Sequence, residues 1–301
     1  MWKRLKADFQ YNRYLYFMII PVIAYYILFH YVPIYGAIIA FKDFAPMLGI
    51  MGSPWVGLHH FREFFTNAAA LNSLRNTLSI SALDIIFGFP APIILALAIN
   101  EVRSRHFKRT VQTITYLPFF LSLVVVCGMI LDFFASDGIV NEFLVLFGFE
   151  RTNFMMQASM FQPIFVGSLI WQFVGWGSII YLAAISAIDQ EMYESAVLDG
   201  ATRMKQMRYI TLPGIMPTVS ILLILRMGQI MNVGFQRVLL LYNPLTMQTA
   251  DVIGSFVFRR GILDFDFSFA AAVGLFNSVV SFTLVVAANQ FSKKFSDTRL
   301  F

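Results

Sequence analysis

Six long stretches nearly free of charge decide the medium in which this chain folds. No Asp, Glu, Lys or Arg occurs between Arg13 and Lys42, Arg109 and Asp132, Arg151 and Asp189, or Asp266 and Lys293. Two more stretches, Arg75 to Glu101 and Arg208 to Arg237, hold one interior charge each, Asp84 and Arg226. About 20 apolar residues cross a bilayer core as a helix, and every interior is long enough. None shows the strict alternation of membrane barrel strands. The expected fold is an all-α integral membrane protein, one domain over residues 1–301, with spans at about 14–41, 76–100, 110–131, 162–188, 209–236 and 267–292.

Composition excludes the other classes. The 301 residues are 58% hydrophobic and 13% charged, half the charge of an ordinary soluble domain. A mean hydropathy of +0.70 excludes disorder, and the single cysteine, Cys127, excludes a disulfide scaffold or a four-thiolate metal site. The net charge of +5 does not point to nucleic acid, because the basic residues punctuate apolar runs instead of forming a patch. Lys3, Arg4, Lys6 and Arg13 precede the first run as in a secretory signal. That run is longer than a signal's apolar core and no small-x-small site follows, so it is expected to stay as the first span.

Orientation follows from the basic residues. The N-terminus, residues 101–110, 189–208 and the tail hold 14 of them, against 7 in the alternate connections 42–75, 132–160 and 237–266. The richer set should face the cytoplasm, with both termini there. Pro21, Pro33, Gly88, Pro90, Pro92, Pro118, Pro213 and Pro217 interrupt the spans. Membrane helices tolerate such breaks, and they can also serve as hinges.

The most informative connection is residues 189–208, before span five. Good helix formers surround a single Gly200, and Thr202 is placed to cap a second helix, so the segment reads as helix, tight turn, helix at the membrane face. Tyr193, Ala196 and Val197 would share a stripe, with Glu191, Glu194 and Asp199 around it. Residues 189–199 hold four acids and no base, which disfavours anionic lipid and suits insertion into a groove on a cytoplasmic protein.

Glu194-Ser195-Ala196, three residues, Gly200, nine residues, then Ile210-Thr211-Leu212-Pro213 resembles the EAA loop of ABC importer membrane subunits. The spacing agrees throughout, and Ser195 in place of the middle Ala is the one departure. Asn12-Arg13-Tyr14-Leu15, Ile38 with Ala40 to Phe44, Gly52 to Phe61 and Leu240-Leu241-Tyr242-Asn243-Pro244 are similar to the carbohydrate-uptake branch, most of all to polysaccharide, aldouronate and alginate-oligosaccharide permeases.

The resemblance implies one membrane half of an importer in a bacterial plasma membrane. Its partners would be a second homologous permease, two cytoplasmic ATPases and an extracytoplasmic solute-binding protein that delivers an oligosaccharide. Glu194, Ser195, Ala196, Gly200, Ile210, Leu212 and Pro213 would form the coupling element between spans four and five, docking into an ATPase whose closure drives alternating access. ATP and Mg would belong to that partner: this chain has no G-x-x-x-x-G-K-[ST] loop and is expected to carry no cofactor.

Charge inside a span costs about 3 kcal/mol for Arg at helix centre, so Arg226 needs a partner or a wet cavity. Gln229 and Asn232 follow at i+3 and i+6 and would extend a polar face along span five. They would line a path, with Arg226 pairing the carboxylate of an acidic sugar. A scaffold role stands equally: Arg226 would bond backbone carbonyls or Asp84, itself a cross-helix partner or a cap near Gly88. Gln172 and Trp176, at i,i+4 in span four, and Asn277 in span six complete the substrate-path candidates, although belts and helix packing use the same residue types. His59 and His60 are adjacent and diverge, without the neighbours of a zinc site. Asp251, Asp264, Asp266, Arg259 and Arg260 form a mixed-charge outer segment, either solvated loop or a surface for the binding protein.

An ion-coupled secondary transporter or a membrane-embedded enzyme is the alternative. The first calls for intramembrane carboxylates, of which Asp84 is the only one, and the second for a nucleophile-base or H-E-x-x-H constellation, which the spans lack. Neither explains residues 189–213.

Overall fold

The computed structural model describes residues 11–295; Lys3, Arg4, Lys6 and Arg299, counted above for orientation, lie outside the described residues. Along the chain run α1 (Arg13–Phe41), α2 (His59–Thr66), α3 (Ala68–Glu101), α4 (Arg105–Phe120) and α5 (Leu123–Phe133). They are followed by α6 (Ile139–Val145), α7 (Ala158–Ser186), α8 (Gln190–Leu198), α9 (Arg203–Gly228), α10 (Phe235–Leu241), α11 (Ile253–Phe258) and α12 (Phe267–Phe295). The described residues form no β-strand, only an isolated bridge between Lys42 and Trp55. Helices α1, α3, α7, α9 and α12 are each long and apolar enough to cross a membrane.

The expected third span is not one rod. Helices α4 and α5 meet at 106°, and the cause is local. Pro118 lacks an N–H, Leu117–Phe120 tightens into a 3-10 turn, and Leu121 is extended. Ser122 then starts a new helix, its Oγ accepting from the Val125 N–H at 3.4 Å. Counted as one bent span, the pair brings the number to six.

The chain divides into two units, residues 1–66 with 259–276 and residues 67–258 with 277–301. In the first, α1 buries no side chain before Tyr35. Beyond it the Lys42 ammonium donates to the carbonyls of Ile50 at 2.7 Å and Ser53 at 3.3 Å. Arg260 donates through Nε to Asp266 at 2.9 Å and through Nη2 to Glu63, and its guanidinium lies 3.8 Å from the Phe269 ring centroid. Burial pulls the Arg260 pKa down, but the bond to Glu63 and the charges of Glu63 and Asp266 outweigh it and hold the group above the usual arginine value.

The second unit is organised by α7, 29 residues without a break, against which α3, α4 and α9 pack. Near its start Phe161 and Phe165 join Ile80, Val126, Cys127 and Val238 in one apolar cluster. Near its end Tyr181 and Ile185 join Ala96 and Ile215 in another. In hydrocarbon such clusters stabilise through dispersion packing more than through release of water. Helix α3 widens into a π-turn at Asp84–Gly88, where the Phe89 N–H donates to the Asp84 carbonyl at 2.8 Å. Pro90 and Pro92 cause it, since neither supplies an N–H and each ring crowds the carbonyl four residues back.

Candidate coupling loop and polar cavity

Residues 189–213 fold as a capped helix fixed to the start of α9. Asp189 caps α8, its Oδ1 accepting from the Glu191 N–H at 3.0 Å. At the other end the Gly200 N–H donates to the Val197 carbonyl at 3.0 Å and the Ala201 N–H to the Ala196 carbonyl at 2.8 Å, with Gly200 at φ +73°. This Schellman turn needs a left-handed residue, which is why glycine stands there. Thr202 caps the next helix, Arg203–Gln206, which runs through a π-turn directly into the body of α9. The second helix of the loop is therefore the first turn of the span, not a separate element.

Helix α8 buries none of its residues. Glu194 and Ser195 are exposed, and so are Met192, Val197 and Leu198, the last at 88%. Tyr193 OH and Thr211 Oγ1 share a hydrogen bond of 2.9 Å, and Arg203 pairs with Glu101 at 3.5 Å. Ser195 Oγ donates back to the Glu191 carbonyl, which suits a small polar residue on a helix. Leu212 packs against the Tyr181–Ile215 cluster, Ile210 is half-buried, and Pro213 opens the α-helical part of α9 where a missing N–H is harmless. The loop thus presents an acidic and apolar surface from a mount tied at two points.

A cavity of about 500 Å³ lies between α3, α7 and α9, lined by Asp84, Gly88, Trp176, Arg226, Gln229 and Asn232 among others. That size suits a small organic ligand. Arg226 donates through Nε to Asp84 Oδ2 at 2.9 Å and through Nη2 to the same oxygen. The Asp84 side chain is 12% exposed, whereas that of Arg226 is 44% exposed.

The candidates named from sequence separate into groups. Arg226, Gln229, Asn232 and Trp176 come together on the cavity. Gln229 and Asn232 do not continue a helix face: α9 ends at Gly228, Gln229 caps it, and Asn232 follows in a turn closed by the left-handed Gly234. Gln172 and Trp176 do not present one surface either. Trp176 stacks on Phe119 at 4.3 Å between centroids, while Gln172 is 4% exposed in the interior. Asn277 does not line the cavity, and its Oδ1 is buried without a hydrogen bond.

Sequence reasoning missed Arg237. Taken as the end of a span, it is instead 4% exposed, donating to Ser168 Oγ at 2.8 Å and to Gln172 Oε1. Among the described residues no carboxylate pairs with it. The available signal was its position between Gly234 and the apolar run Val238-Leu239-Leu240-Leu241.

Span-length helices around a largely apolar cavity that carries a few polar groups, with a capped helix projecting from the connection between two of them, make up a multi-pass membrane permease. The family follows from comparison. Residues 88–297 match the binding-protein-dependent transport system inner membrane component family, and the chain belongs to it. It is 43% identical to Protein LplB of Bacillus subtilis (strain 168), over 96% of this chain and 92% of that protein. It is also 43% identical to the polygalacturonan/rhamnogalacturonan transport system permease protein YteP of the same organism, over 99% and 94%. Among solved structures, a chain of a bacterial alginate ABC transporter in complex with alginate pentasaccharide-bound periplasmic protein superposes with a TM-score of 0.92 at 41% identity, covering 99% of this chain and all of that one.

Proposed function

We propose that this permease is one membrane half of an ATP-driven importer of an acidic, uronate-containing oligosaccharide in a bacterial plasma membrane. An extracytoplasmic solute-binding protein delivers the cargo, a second homologous permease completes the path, and two cytoplasmic ATPases supply ATP and Mg chemistry. The observation that carries the reading is α8: a helix capped at both ends, with none of its residues buried and with acidic and apolar side chains outward. Such a surface is built for a protein groove. Relatives named for polygalacturonan and alginate transport support the cargo class.

In this reading Glu194 meets a basic residue of the ATPase, Ala196 allows close approach, and the Gly200 turn passes the motion to α9 through Ile210, Leu212 and Pro213. Arg226, Gln229, Asn232 and Trp176 meet the cargo, while Gln172 and Asn277 shape the helices beside it.

The test is reconstitution of the complex in proteoliposomes. Glu194→Ala should leave the subunit inserted and ATP hydrolysis running while uptake of an oligogalacturonate falls at least tenfold, the loss expected when one buried charge-assisted contact is removed. Undiminished uptake per ATP would sink the coupling role.

A further inference from the structure

The ion pair in the cavity is incomplete, and its incompleteness is the clue. Both donors of Arg226 fall on a single oxygen, Asp84 Oδ2. Asp84 Oδ1 and Arg226 Nη1 make no hydrogen bond with any described residue, although both residues line the cavity. A fully closed fork would use both oxygens against two nitrogens. This one keeps an edge of the guanidinium unspent beside open space.

Asp84 is held in that pose by its surroundings. It opens the π-turn of α3, and a side chain at Gly88 would collide with Oδ1, so glycine is what lets the carboxylate lie over the turn. The site is thus built from two distant parts of the chain, a proline-induced bulge in α3 and the last turn of α9.

We propose that Asp84 is the resident counter-anion of a cation site for the cargo's carboxylate, occupying one edge of the Arg226 guanidinium and leaving the other to a uronate unit. This inference rests on the acidic-oligosaccharide reading above. A lone guanidinium on the cavity wall would hold a carboxylate more tightly and release it more slowly than one whose charge is already balanced. With Asp84 in place the empty site is neutral, and the arriving carboxylate meets attraction from Arg226 tempered by repulsion from Asp84. Transport needs that compromise, since a site on a path must bind well enough to fill and weakly enough to empty. Asp84 is therefore a specificity and release determinant that need not touch the sugar.

The experiment measures equilibrium binding and uptake with the complete transporter in nanodiscs and proteoliposomes. Its probes are tritiated trigalacturonate and the same trisaccharide as its methyl ester, which removes charge and keeps shape. Asp84→Asn, close to isosteric, should tighten binding of the acid about tenfold or more, the direction set by removing a like charge a few ångströms away. Its maximal uptake rate should fall several-fold while the methyl ester is unchanged. Gly88→Ala, which displaces the Asp84 carboxylate without altering any charge, should shift binding in the same sense, and Arg226→Gln should weaken binding of the acid relative to its ester by about a hundredfold, because the repulsion of Asp84 is then no longer offset. In the unaltered transporter the acid should be favoured over its ester by only about tenfold, the residue of an attraction largely cancelled by Asp84.

A preference of several hundredfold in the unaltered transporter would overturn the tempered site, even if the variants assemble poorly. Equal losses for acid and ester in Asp84→Asn, with affinity constant, would make the pair a scaffold. Binding by the unaltered transporter without a shift in any variant removes only the role of Asp84. Absence of binding and uptake of either probe by the unaltered transporter removes the cargo reading itself.

Discussion

Arg237 donates to Ser168 Oγ at 2.8 Å from a position only 4% exposed, so a guanidinium is held in the interior by a hydroxyl and the Gln172 amide, without a carboxylate among the described residues. The bond fastens α10 to the middle of α7. An ion so placed depends on its neutral partners, because losing one leaves charge uncompensated.

Gln172→Leu should therefore destabilise the permease by about 2–3 kcal/mol, the worth of a hydrogen bond to a buried charge. Arg237→Met, which removes the charge and keeps the volume, should cost less, and the double variant should recover part of the loss. Thermal unfolding of the purified complex in detergent orders the three. Gln172→Leu as the mildest would contradict the arrangement.

The Gly200 turn makes a second, graded prediction. A β-branched residue at φ +73° is strained by about 1–2 kcal/mol, while asparagine visits this region more readily. Gly200→Val should raise the ATP consumed per oligosaccharide imported, and Gly200→Asn should stay near the parent ratio. Similar ratios for both would separate the turn from coupling.

Tyr193 and Thr211 should behave as a unit. Tyr193→Phe and Thr211→Val each remove the 2.9 Å bond between α8 and the start of α9, at about 1 kcal/mol. Since the bond can be lost only once, the double variant should uncouple hydrolysis no further than either single one. Additive effects on the ratio of ATP to cargo would mean the two side chains act separately.

Arg260 and Arg151 offer a contrast between arginines. Arg260→Lys loses both the two-carboxylate fork and the face of Phe269, and should lower the unfolding temperature measurably. Arg151→Lys alters an exposed pair with Glu142, worth under about 1 kcal/mol, and should be nearly silent. The reverse order in a melting experiment would refute the network read for Arg260.

The helices were legible because the bilayer imposes length and apolarity, and charge-free runs report both. The loop at residues 189–208 was legible for a different reason: its turn at Gly200 and its cap at Thr202 are local chemistry. What escaped depended on events that periodicity does not encode. The α4–α5 corner arises from Pro118 and Ser122 acting together, and Gln229 and Asn232 lie in the turn between the end of α9 at Gly228 and the left-handed Gly234. Arg237 was hidden by the habit of reading charge as a sign of water, when Gln172 and Ser168, distant in sequence, supply what water would.

Helix α7 runs for 29 residues, about 43 Å at 1.5 Å per residue, and ends three residues before the cap of the projecting loop. A rod of that length is a pointer: a tilt of about five degrees at one tip sweeps the other by roughly 4 Å. In the importer proposed above, news of an occupied doorway would reach the engine room as plain leverage, with no messenger to synthesise or destroy.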